Sequence, residues 1–201
     1  MPSGSLAQPG PDLRGRRRSA HLDEHFAKTS QLIGVGPEDD QVVARSRGLL
    51  RRHVDDIVDE VYRRFLAHPE TAVHFSDGHG ALADANGDVL PDAVEMRREA
   101  FRAWLVTVIE DPLGSNTSEY VAAVGHAHVR QSEPNAGPIK AGFLLITISW
   151  VQSLFLSVLV GGCKDTADFA EQAAAWCRRL MLHLDLLLAV YGSTERSAHW
   201  Y

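Results

Sequence analysis

Near the middle of the chain the residues run Glu119-Tyr120-Val121-Ala122-Ala123-Val124-Gly125-His126-Ala127-His128-Val129-Arg130. Wound as a helix, this stretch sets Val121, Val124 and His128 on one face at i, i+3, i+7 spacing. The face is apolar and a histidine closes it. A neutral imidazole there can ligate a haem iron or a zinc ion, or it can sit in a core bonded to a backbone carbonyl. His126 lies two positions earlier, on roughly the opposite side, so only one of the pair can reach a metal from this helix. The apolar stripe favours His128.

Other groupings offer less. Asp84, Asn86, Asp88, Asp92 and Glu95 fall at positions 1, 3, 5, 9 and 12 of a calcium-binding loop. Val89, however, takes the place where glycine makes the sharp turn, and Pro91 stands where the short strand would pair. His74 and His79 flank a Gly-rich loop with no third ligand at a helical offset, so no zinc set forms. There is no Ser-His-Asp order, no phosphate loop, no catalytic carboxylate pair, and no flavin or nicotinamide motif. Tyr62 lies on the inner face of a stripe of Val54, Ile57, Val58, Val61, Tyr62 and Phe65. It reads either as a core aromatic or as a hydroxyl donor into a cavity.

The elements that would position these groups are helices. Pro37 opens one, with Glu38, Asp39 and Asp40 in its first turn, where acids suit the dipole. The Tyr62 stripe follows and stops at His68-Pro69, with one short helical turn after it. The pattern returns to helix from Pro91 to Glu110, with Val94, Phe101, Trp104, Leu105 and Val108 turned inward. Asp111-Pro112-Leu113-Gly114 closes that helix, and Ser115 to Ser118 offer caps for the His128 helix. Two long segments finish the chain, at 139–160 and from Asp165 or Thr166 to about Tyr191. A short helix is expected over 22–32, ahead of Gly34 and Gly36. No strand alternation or hairpin turn stands out, so the fold class is all-α, with seven or eight helices.

The bulk numbers agree with one soluble domain. The chain has 201 residues, 45% hydrophobic and 23% charged, enough to bury a core. A net charge of −6 argues against a general nucleic-acid binder. Two cysteines, Cys163 and Cys177, make no disulfide framework and fit a reducing, cytoplasmic compartment. Residues 1–18 are rich in Gly, Pro, Ser and Arg and read as a disordered arm. No apolar run follows their arginines, so they are not read as a signal peptide. The uncharged stretch 141–163, bracketed by Lys140 and Lys164, is long enough to span a bilayer. Thr147, Ser149, Gln152, Ser153 and Ser157 weaken that reading in favour of a core helix facing a partner copy.

In this order, four segments resemble the protoglobins and the globin domains of globin-coupled sensors. The stretch His53-Val54-Asp55-Asp56-Ile57-Val58-Asp59-Glu60-Val61-Tyr62 is similar to the family's second main helix, which ends in a distal tyrosine. Met96-Arg97-Arg98-Glu99-Ala100-Phe101-Arg102-Ala103-Trp104-Leu105 is similar to its distal helix. Val124-Gly125-His126-Ala127-His128-Val129-Arg130 is similar to its proximal helix, and Ile139-Lys140-Ala141-Gly142-Phe143 to the opening of the next. Two features depart from the family: a long loop over 76–90, and Gln131-Ser132-Glu133-Pro134 after the proximal motif.

The resemblance implies a globin-like helical sandwich with an additional N-terminal helix. It divides the chain into the arm (1–20), one globin domain (21–195) and a tail (196–201). It implies haem b held by His128 as proximal iron ligand, with Tyr62 and Phe101 over the distal face and Phe143 beside the ring. Trp104 and Val124 complete the expected cofactor contacts. The implied function is reversible binding of a diatomic gas, O2, CO or NO, as a sensor or gas-binding protein. The alternatives are a haem enzyme (nitric oxide dioxygenase, nitrite reductase or peroxidase) and a haem-free helical signalling module. The expected partner is a second copy through the last two helices, with neither nucleic acid nor membrane.

Overall fold

The computed structural model describes residues 13–72, 91–130 and 141–192. Among them there are eight helices and no strand: α1 (Leu13–Ile33), α2 (Pro37–Arg52), α3 (Val54–Ala67), α4 (Pro69–Ala72), α5 (Pro91–Glu110), α6 (Ser115–Arg130), α7 (Ala141–Val160) and α8 (Thr166–Gly192).

Most boundaries follow from local chemistry. Pro37 sits inside the start of α2, and the Asp39 carboxylate accepts the Gly36 amide at 3.3 Å, satisfying one of the orphan donors there. At α6 the Thr117 hydroxyl takes the Gly114 amide at 3.0 Å. Gly34 adopts φ +70°, a left-handed conformation that glycine holds at no steric cost, and so ends α1. The start of α1 differs from the sequence expectation. The helix reaches back from Leu22 to Leu13, into the stretch read as an arm. That stretch is poor in apolar residues, but it holds no Pro and a single Gly, Gly15, whose cost of about 1 kcal/mol is the main local opposition to helix.

Helix α8 is the centre of the arrangement; α1, α2, α6 and α7 all pack on it, and α3 packs on α5 and α7. The core runs through Leu50, Ile57, Leu105, Ile109, Phe155, Trp176 and Leu180, all essentially without exposure. Phe155 of α7 meets Trp176 of α8 edge-on, ring centroids 5.4 Å apart. The Trp176 indole donates to the Ser46 hydroxyl of α2 at 2.9 Å.

Helix α7 has the length and composition of a membrane span. In this fold Leu144, Ile148, Val151, Phe155 and Leu159 form its buried face, at helical spacing. Ser149, Ser153 and Ser157 occupy the exposed side. Their polarity is muted, because the Ser153 and Ser157 hydroxyls bond back to carbonyls one turn earlier, both at 2.9 Å. The loop of the calcium reading, 84–90, lies outside the described residues, as do His74, His79 and the segment after Arg130.

The C-terminal end of α5 is held from two sides. Arg179 of α8, buried, donates to the Val108 carbonyl at 2.7 Å, to Asp40 of α2 at 2.8 Å, and to the Asp111 carbonyl. Arg47 of α2 donates to the Ile109 carbonyl at 3.0 Å. These are the acceptors a helix leaves unsatisfied at its end, and cations also suit the dipole there.

Candidate functional site

Tyr62 reaches the site from α3 because the apolar stripe of that helix turns it inward. Arg98 and Arg102 of α5 pair with Asp59 and Asp55 of α3, the second pair at 2.7 Å. Exposed ion pairs contribute little stability, but these two set the azimuth of α5 against α3. That azimuth brings Phe101 to 6.1 Å from the Tyr62 ring and stacks Trp104 on Phe101 at 5.6 Å. The Arg98 guanidinium lies over the Tyr62 ring, 5.7 Å from its centroid.

The other wall is α6. Val121 is fully buried on it. Gly125 meets α8 so closely that an added Cβ would stand 3.0 Å from the Val190 Cβ. His128 comes one turn later. Its Nδ1 donates to the Val124 carbonyl at 2.7 Å, which fixes the tautomer and leaves Nε2 as the nitrogen bearing a lone pair. Burial holds the His128 pKa below the usual imidazole value. Arg97 pushes the same way, and the bond to Val124 opposes them. The ring is therefore neutral at pH 7, the form that ligates a metal.

Between these walls lies a cavity of about 330 Å³. Tyr62, Phe101, Trp104, Val124, His128 and Phe143, the six residues singled out from the sequence, all line it. His126 does not. Burial drives the Tyr62 pKa well above the usual phenol value, with Arg97 acting against it, so the hydroxyl stays protonated and able to donate. The volume falls within the range of cofactor and ligand sites. Aromatic and aliphatic walls with one neutral imidazole fit a flat, largely apolar prosthetic group bound through a metal.

The lining also contains residues the sequence reading did not single out as site residues: Phe65, Ile148, Leu187 and Arg97. Phe65 was within reach, one turn beyond Tyr62 on the same stripe. Ile148 and Leu187 are ordinary core positions whose cavity contact only the fold reveals. Nothing in the sequence tells Arg97 from Arg98 beside it, yet the first lines the cavity and the second pairs at the surface. Among the described residues no group of three or more His, Cys, Asp or Glu is placed to hold a metal ion.

The fold has solved counterparts. The globin domain of the Geobacter sulfurreducens globin-coupled sensor superposes with a TM-score of 0.66 at 18% identity, covering 82% of this chain and 96% of that one. The globin domain of E. coli DosC, in a ferric crystal form, gives 0.60 at 10% identity, covering 84% and 99%. No curated protein matches the chain. At such identities the likeness speaks for the fold. The Protoglobin family model, however, matches residues 22–197, from within α1 to beyond α8, and by that match the chain belongs to the protoglobin family.

Proposed function

We propose that this protein is a haem-binding globin that reversibly takes a diatomic gas, as a sensor or gas-binding protein. The observation that carries the reading is His128: a neutral imidazole, its Nδ1 committed to Val124, on the wall of an apolar cavity that Tyr62 also lines. Haem b would supply the iron at which the gas binds. Nε2 of His128 is the ligand this chain offers that iron. Phe101, Trp104, Phe143 and Val124 line the same cavity and would give the ring apolar contact and keep water away. The Tyr62 hydroxyl, protonated and on the same cavity wall, is the donor this chain would offer a gas ligand that carries partial negative charge. The test is the absorption spectrum of the purified protein, ferrous and then under carbon monoxide. A colourless protein that takes up no added hemin refutes the proposal.

The expected partner is a second copy of the chain, packed through α7 and α8. The apolar length of α7 stays mostly unburied, and Val160 on α7 and Met181 on α8 are exposed, which speaks for a partner on these helices. Sedimentation equilibrium checks it, and a monomer at micromolar concentration excludes it. We place the protein in the cytoplasm, in keeping with Cys163 and Cys177, which are unpaired.

A further inference from the structure

The contacts between α5 and α8 step in opposite senses along the two helices. Arg179 of α8 donates to the Val108 carbonyl of α5 at 2.7 Å. One turn back on α5 and one turn on along α8, the Trp104 and His183 rings meet edge to face, with 6.1 Å between centroids and 82° between planes. The next step in each direction brings Ala100 and Leu187, both of which line the cavity. His183 thus stands midway between the arginine clamp and the cavity wall.

That middle position holds polar atoms inside an apolar seam. His183 is 1% exposed and Trp104 5%. Among the described residues, the indole Nε1 and both imidazole nitrogens are buried with no hydrogen-bond partner. Burial, aided by the charge of Arg179, keeps the imidazole neutral at pH 7, so it carries one N–H and one bare nitrogen. Three orphaned groups at one ring contact are uncommon in a native core. Buried polar groups that the chain leaves unpaired are ordinarily paired by internal water, which needs two or more such partners.

We infer that buried water bridges the Trp104 indole N–H to the bare nitrogen of His183, which makes His183 a positioning residue for the cavity wall. The water accepts from the indole and donates to the imidazole. Trp104 is then held in one plane, and it passes that plane on. It stacks on Phe101 at 17° and 5.6 Å, and Phe101 stands 6.1 Å from the Tyr62 ring. A phenylalanine in place of His183 fills the space but holds no water, whereas a glutamine offers both a donor and an acceptor. The water site stands apart from the haem reading; only its effect on gas release rests on that reading.

The test is nuclear magnetic resonance on the full chain as purified, isotope-labelled in tryptophan and phenylalanine. Reduction under carbon monoxide keeps any bound haem diamagnetic. Trp104→Phe assigns the Trp104 indole resonance, and Phe101→Leu assigns the Phe101 ring. In wild type the indole proton should show a nuclear Overhauser effect to long-lived water. His183→Phe should abolish that signal and shift the Phe101 ring resonances, and His183→Gln should restore both. No water signal at the wild-type indole overturns the site, whatever the variants do. A signal that survives His183→Phe, or Phe101 resonances that do not respond to it, overturns the role of His183.

Oxygen release then reads the consequence at the cavity. It should quicken in His183→Phe by up to about tenfold, the limit set by one lost hydrogen bond from Tyr62, and stay near wild type in His183→Gln. Equal release in all three would cut the link from His183 to the gas. A protein that takes up no hemin sinks the haem reading alone and leaves the two resonance signals to decide the water site.

Discussion

The Nδ1 of His128 lies 2.7 Å from the carbonyl oxygen of Val124, one turn back on α6. That bond commits one nitrogen to the backbone and orients the ring, so the other nitrogen is presented without further rearrangement. His128→Ala should therefore abolish stoichiometric hemin uptake, followed by titration at the Soret band. His126→Ala, altered outside the cavity lining, should keep it. The reverse pattern would show that the ligand is His126.

Tyr62 offers a hydroxyl whose proton burial keeps in place. Tyr62→Phe leaves the ring packing and removes the donor. Release of oxygen should become about tenfold faster, the worth of one hydrogen bond, measured by stopped-flow displacement with carbon monoxide. An unchanged off-rate would take Tyr62 out of contact with the gas.

Gly125 and Val190 set how near α6 comes to α8. Gly125→Ala places a Cβ 3.0 Å from the Val190 Cβ, so the helices must part. Overpacking of this kind costs about 1–3 kcal/mol, partly offset by the helix propensity of alanine. Stability by urea titration and hemin affinity should both fall. Val190→Gly in the same chain removes the opposing Cβ and should recover hemin affinity, though not the helix propensity that glycine itself loses, and independent effects in the double variant would show that the two residues do not share a contact.

His183 is buried beside Trp104, ring centroids 6.1 Å apart, and among the described residues neither of its nitrogens has a hydrogen-bond partner. Burial, and secondarily the charge of Arg179, lowers its pKa from 6.5 to about 3. Between those values the unfolded chain binds a proton that the native one refuses. Stability is then full above about pH 6.5 and falls as the pH drops toward 3, by at most about 1.4 kcal/mol per pH unit for this proton. The lowered pKa of His128 adds to the slope in the same direction. Urea midpoints of the apoprotein at pH 7 and pH 5 should differ markedly less in His183→Phe than in wild type. Equal differences would mean that His183 is protonated in the native state.

How far the sequence could be read depended on which residues signal locally. Helix α5 runs from Pro91 to Glu110, the bounds its proline and the following Asp111-Pro112 announce. The stripe of α3 delivered Tyr62 to the cavity, and the face shared by Val124 and His128 delivered both of those. Aromatic and β-branched residues at helical spacing mark their buried side without reference to the rest of the fold. Arg97 gave no such sign, because its direction depends on the azimuth of α5, which distant carboxylates on α3 set. Arg179 was equally silent: a lone arginine in a helix reads as solvated until the carbonyls it caps are brought to it. The extension of α1 to Leu13 was hidden for a different reason. Helices stabilised by packing show an apolar stripe, and this segment hardly has one.

Helix α8 touches both walls of the cavity. Through Arg179 it grips the end of α5, and through Val190 it receives Gly125 of α6. The width of the gap is thus indexed to one stiff rod, much as two jaws are spaced by the bar they ride on. Segments that merely join the jaws can be lengthened or recomposed without resetting that width. A one-carbon change where the bar meets a jaw resets it at once.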